Sequence, residues 1–121
     1  MAKAYDLRQR TMAFALEVLR FCRRMPPSPE GWHVRGQLFR AGTGVASNYR
    51  AACRGKSKAD FIAKLGTVIE EADESDFWLE ITERADLVNA DLIRPLRREA
   101  NELVAIFTQS QKTARGSSTF R

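Results

Sequence analysis

Phe61, Leu65, Val68, Ala72, Ser75 and Leu79 recur at spacings of 4, 3, 4, 3 and 4. Those intervals keep six side chains on one stripe of an α-helix and would scatter them over both faces of a strand. A helix with such a stripe must bury it against a partner surface. Ser57, with Asp60 three residues on, supplies a capping signal at its start, and the pattern runs to about Ala85.

The rest of the chain repeats the theme. A first helix is expected to start at Asp6, where Gln9 completes a capping-box pattern. Leu7, Thr11, Phe14, Val18 and Phe21 form its stripe. It must stop before "MPPSPEG", whose prolines and Gly31 do not continue a helix. A second helix is expected from about Trp32 to Arg54, with Gly55 as its stop. A fourth follows "DLVNADLIRP", capped by Asn89 or Asp91, with Pro95 in its first turn or two and Leu96, Ala100, Leu103 and Phe107 on its stripe. No segment keeps a period of two, and the connections are short. These features predict an all-α, antiparallel up-down-up-down four-helix bundle over residues 1–112, with a flexible C-terminal tail over 113–121.

The second helix differs from its neighbours. Val34, Leu38, Ala41, Val45, Tyr49 and Ala52 form an apolar stripe, while Arg40, Thr43, Ser47, Arg50 and Arg54 form a narrow polar one. Gln37, Ala41, Gly44 and Asn48 make a third stripe of mostly small residues, and Phe39, Ala46 and Cys53 occupy another side. So little polar surface implies a helix that is central or shared with a second subunit. Gly42 and Gly44 each cost about 1 kcal/mol against alanine in a helix. They either admit a close neighbour or mark a kink. Asn48, beside them, needs hydrogen-bond partners and is a candidate for fixing helix register.

Charge alternates along the chain. Residues 1–58 carry twelve Lys/Arg against three acids, residues 59–86 carry two against nine, and residues 87–121 carry six against three. Antiparallel packing of such segments sets basic faces beside acidic ones. With a turn at Gly55–Ser57, Arg40 falls near Glu71 and Glu74, and an interhelical ion pair is expected there. Asp73 and Asp76 are expected to be solvated. Arg35, Arg50, Arg54, Lys56, Lys58 and Lys64, expected to cluster around the turn between the second and third helices, are the candidate contacts for a polyanion.

Catalytic patterns are missing. "RAGTGVASN" lacks the lysine of a phosphate-binding loop and follows no strand. His33 is the single histidine, with no acid placed to make a Glu-x-x-His metal pair. No catalytic residue, metal or cofactor is therefore expected. Cys22 and Cys53 read as buried, reduced thiols. No apolar run reaches the roughly 18 residues of a membrane helix, and "MAKAYDLRQR" is not a secretion signal, so a cytoplasmic chain is expected.

The segment "QLFRAGTGVASNYRAACRGKSKADFIAKLGTVIEEADESDFWLEI", from Gln37 to Ile81, resembles a bacterial four-helix-bundle family. That family is named for proteins encoded in 23S ribosomal RNA intervening sequences. Gln37, Arg40, Ala41, Val45, Asn48, Gly55, Ser57, Phe61, Leu65, Glu71 and Glu74 carry the resemblance, and "YDLRQRTMAFALEVL" fits the family's first helix. The resemblance implies a bundle that assembles into homopentameric rings. A related protein is the accessory variability determinant of diversity-generating retroelements. It is similar in fold and implies binding of RNA or DNA, and of a reverse transcriptase, through a basic surface. The expected function is thus that of a non-enzymatic, oligomeric nucleic-acid-binding accessory factor. A protein–protein adaptor with contacts through Phe39, Ala46, Cys53, Phe77 and Trp78 is the alternative.

Overall fold

The structure, a computed structural model, describes residues 4–116. They form four helices: α1 (Ala4–Cys22), α2 (Pro29–Cys53), α3 (Lys58–Arg84) and α4 (Ala90–Gly116). α1 is already helical at Ala4, so Asp6 sits inside its first turn, where a carboxylate favours the helix dipole, and is not the N-cap. α2 starts earlier than Trp32 because Pro29 occupies its first position and Ser28 caps it, the hydroxyl accepting from Gly31 N at 3.1 Å. Ser57 caps α3 by accepting from Asp60 N at 3.0 Å, and Asp60 Oδ2 accepts in return from Lys56 N at 3.1 Å. Asn89 caps α4, its side-chain oxygen accepting from Asp91 N at 2.7 Å. The boundary expected at residue 112 falls inside α4, which continues to Gly116. Residues 117–121, the remainder of the expected tail, lie outside the described residues.

α3 ends in a turn that its sequence hides. Leu87 N donates to Thr82 O at 3.0 Å and Asp86 N to Glu83 O at 3.1 Å, which is the Schellman pattern. The residue with positive φ is Asp86, at 55°, where glycine is usual. Aspartate tolerates that conformation better than most side chains.

The pairing of neighbours shows each helix running opposite to the one before. Between α2 and α3, His33 meets Trp78, Arg40 meets Glu74 and Gly44 meets Glu71. Between α3 and α4, Asp76 meets Arg97 and Ile62 meets Gln111. Phe14, Val18, Leu38, Val45, Leu65, Val68, Leu79, Ile93, Leu103 and Phe107 fill one shared core. The hydroxyls of Thr11, Ser75 and Thr82 are buried too. Each donates to a carbonyl one turn back, at 2.8, 2.8 and 2.7 Å. Of the helix pairs in contact, α1 and α4 touch least, and an open groove of about 800 Å³ lies between them, floored by Phe14, Phe21 and Leu96.

α2 passes through its glycines without a break. The close approach is at Gly42: a Cβ there would lie 2.6 Å from Val18 Cγ1 of α1. At Gly44 the space is taken by a side chain, with the Glu71 carboxyl carbon 3.0 Å from where a Cβ would stand. Asn48 does not bridge to α3. Its amide donates to Gly44 O at 2.8 Å, one turn back on its own helix, so the register role expected of it is replaced by a local bond. Ala41 is fully buried. Arg40 Nη2 reaches both Gln37 Oε1 and Glu74 Oε2 at 3.1 Å. Glu71 Oε1 is buried with no hydrogen-bond partner. Burial first, and then the neighbouring Glu74, push the Glu71 carboxyl above its ordinary range, with Arg40 opposing them.

One expectation on α3 is corrected. Asp76 is not solvated: it is held by Arg97 of α4, with Nε–Oδ1 at 2.7 Å. Arg97 also approaches Glu80 and Glu83, both at 3.6 Å. The α3–α4 register, which brings residues 76 and 97 together, places a cation against this carboxylate. Asp73 is exposed.

Two predictions follow from this packing. Gly42→Ala should lower unfolding stability by about 1–3 kcal/mol in urea denaturation, because the crowding against Val18 outweighs the gain in helix propensity. Gly36→Ala, where nothing lies within 4 Å of the new methyl, should raise stability by up to about 1 kcal/mol. Opposite results at the two sites would remove the close-packing role of Gly42. For Glu71, folding takes up a proton between the ordinary carboxylate pKa and the raised folded value, so wild-type stability falls as pH rises through that window. Glu71→Gln should therefore melt higher than wild type at pH 7, with the difference gone below about pH 4. A lower melting temperature at pH 7 would show that the carboxylate is favourably held.

Candidate nucleic-acid interface

The antiparallel order places the start of α1, the end of α2, the start of α3 and the end of α4 at one pole of the bundle. Arg50 projects from the last turn of α2, and Arg54 is that helix's C-cap; both are exposed. Lys56 lies in the connecting turn and is exposed. Lys58 Nζ donates to Arg115 O of α4 at 3.4 Å, which ties the turn to the last helix. Lys64 forms an ion pair with Asp60 one turn back, so its charge is partly consumed. That lysine first, and then the Lys56 N–H, hold the Asp60 carboxyl below its ordinary range.

Arg35 does not belong to this group. It lies 19 residues before Arg54 on the same continuous helix, which is about 28 Å along the axis. It sits at the opposite half of the bundle, where its carbonyl accepts from Cys22 Sγ at 3.6 Å and its side chain borders a shallow pocket with Arg23 and Phe39. Sequence distance along an unbroken helix is physical distance, and the expectation that grouped Arg35 with Arg54 is corrected on that ground.

The structure adds members that sequence reasoning missed. Arg8 on α1 and Lys112 and Arg115 on α4 stand at the same pole, all exposed. The signal was available: in an up-down-up-down bundle the first and last helices return their free ends to the end where α2 meets α3. Against these bases, the segments 4–12, 47–66 and 108–116 contribute two acids, Asp6 and Asp60. Arg10, one turn further in, is drawn away by Glu99 and Glu102 of α4, with bonds at 2.7 to 2.8 Å that raise its pKa further.

The opposite half is electrically mixed. There α3 supplies Glu74, Asp76, Glu80 and Glu83, which meet Arg40, Arg84, Arg94 and Arg97. Net charge is thus polarised along the bundle axis: the pole has a large excess of bases over acids, while in the other half acids outnumber bases, although Arg23, Arg24, Arg35 and Arg98 stand there without an ion pair among the described residues.

The pole carries few exposed aromatic side chains on which a base could stack. Tyr49 is buried against Phe107 with ring centroids 4.9 Å apart, and Phe61 is half-buried. The exposed aromatics Trp32, Phe39 and Phe77 lie elsewhere on the bundle. His33 sits near the opposite end, its ring edge-on to Trp78 at 5.6 Å. Among the described residues, no group of three His, Cys, Asp or Glu side chains converges to hold a metal ion. Both cysteines are free; Cys22 is buried, which pushes its thiol up to about 11, but Cys53 is exposed, against expectation, because position 53 falls outside the apolar stripe that ends at Ala52. No helix among the described residues is long and apolar enough to cross a membrane.

Comparison with known proteins agrees with this architecture. No curated protein matches the sequence. A solved structure from Bacteroides thetaiotaomicron, a protein of unknown function from the S23 ribosomal protein family, superposes with a TM-score of 0.81. It is 24% identical, and the match covers 87% of this chain and 97% of that one; at that identity the likeness speaks for the fold. The sequence model of one family matches residues 3–109, nearly the whole bundle. The chain belongs to the family of the 23S rRNA-intervening sequence protein.

Proposed function

We propose that this chain is a non-enzymatic accessory factor that binds RNA or DNA through the basic pole. The observation that supports the reading is the gathering of Arg8, Arg50, Arg54, Lys56, Lys112 and Arg115 from three helices and a turn at one end, opposed by Asp6 and Asp60. Charge in that arrangement binds a polyanion by displacing its counterions, independently of base sequence. Assembly into a homopentameric ring, which the family resemblance implies, would repeat the pole around an axis and multiply weak phosphate contacts. A reverse transcriptase is the protein partner in keeping with the same resemblance, and the cytoplasm is the compartment.

The adaptor reading has its own support. Met12, Leu16, Trp32, Phe39, Phe77 and Leu92 are large apolar side chains that remain 41 to 53% exposed. Trp78 keeps a buried indole N–H without a partner. Such surface suits contact with another protein or another copy of this chain.

Titration of labelled RNA by fluorescence anisotropy over a salt series tests the first reading. Log K should fall linearly with log salt, with a slope of roughly −3 to −6. Arg54→Glu should weaken binding a few-fold with an unchanged melting temperature. Undetectable binding at low salt would leave the adaptor reading. Light scattering at micromolar concentration should give the mass of a multi-copy assembly, and a mass equal to that of one chain would sink the ring.

A further inference from the structure

Beside the pole, the seam between α1 and α2 holds a cleft of about 190 Å³ lined by Arg8, Gln9, Met12, Ala46 and Arg50. Two guanidinium side chains from different helices therefore border one small space. Neither side chain forms an ion pair or a hydrogen bond among the described residues. The nearest acid on α1, Asp6, is two positions from Arg8 and thus on the other side of that helix. The second half of α2, residues 41–53, contains no acid. Burial first, and then Cys53, push the pKa of the Tyr49 hydroxyl up; Arg8 lies close enough to α2 to oppose them slightly. Like charges brought together on two rigid helices, without a carboxylate between them, call for an anion from outside.

The lining specifies which anion. Arginine presents planar forks of N–H donors and no acceptor, a match for tetrahedral oxyanions. Gln9 adds an amide donor. Met12 and Ala46 form an apolar wall that lowers the local dielectric and strengthens each charged bond. The volume is several times the roughly 30 Å³ of one water molecule, room for a phosphate group.

We propose that the Arg8–Gln9–Arg50 cleft is a phosphate-binding notch that seats one backbone phosphate of a nucleic acid lying on the pole. The backbone source rests on the reading given above; the notch itself does not. It differs from the rest of the pole in being a discrete site between two helices, whereas Arg54 and Lys56 stand on an exposed turn.

Two double variants of equal charge test it. R8Q/R50Q should weaken binding of a fluorescein-labelled RNA duplex by about tenfold or more at moderate salt, and should reduce the salt slope by about one, for the one phosphate lost. R54Q/K56Q should cost only a few-fold. Equal losses in the two variants would overturn the notch and leave a diffuse field. A second arm uses the wild-type chain: inorganic phosphate should shift the Arg8 and Arg50 side-chain Nε resonances in NMR, ahead of those of Arg54 and Arg35. If those resonances shift but no RNA or DNA binds, the notch stands with free phosphate as its ligand, and the nucleic-acid reading falls. If phosphate shifts neither resonance and R8Q/R50Q binds RNA like wild type, the notch is overturned while the nucleic-acid reading survives.

Discussion

α3 is the electrostatic keel of the bundle. It packs against both α2 and α4, and its acids face arginines on each. Glu74 takes Arg40 on one flank, and Asp76 holds Arg97 on the other. These bonds are individually modest because most of their partners are half-exposed. Their importance is one of placement. α3 carries its acids from Glu70 onward, so compensation is confined to its second half. The first half has Lys58 and Lys64 against Asp60 alone. The basic pole exists because the neutralising residues were spent elsewhere along the same helix.

Much of this was readable in the residues. The 4-3-4-3-4 stripe of α3 is buried as drawn from Leu65 to Leu79, and the Ser57 cap lies where the hydroxyl and its spacing from Asp60 required. The Arg40–Glu74 pair followed from a turn of known position. What escaped were features that depend on two helices at once. Asp76 looked solvated because its partner lies on α4, twenty-one positions later, and only the α3–α4 register brings them together. Arg8 and Arg115 lie far from Arg54 in sequence, and only the bundle order brings α1 and α4 to the same pole. Asn48 was a candidate for fixing register because it lies on the stripe of small residues, but its amide finds a backbone carbonyl one turn back on its own helix.

The two glycines of α2 illustrate how composition can mislead about cause. Both sit mid-helix and both are tightly surrounded, yet they serve different neighbours. Gly42 lets α1 approach through Val18, an aliphatic contact that sets interhelical distance. Gly44 accommodates the carboxyl of Glu71, a polar group that lacks a hydrogen bond on one oxygen. The first is a matter of packing and the second of electrostatic strain. Together they put a tight joint and a weak one within a single turn of α2.

The open seam between α1 and α4 bears on how the chain reaches its fold. Every extensive contact in the bundle joins helices adjacent in sequence, α1 to α2, α2 to α3 and α3 to α4. The one long-range closure, first helix to last, contributes little. Loop-closure entropy is therefore small at each step, and the bundle can be laid down hairpin by hairpin without waiting for its ends to meet. Such a topology favours rapid folding, because the contacts that build the core are made between neighbours along the chain.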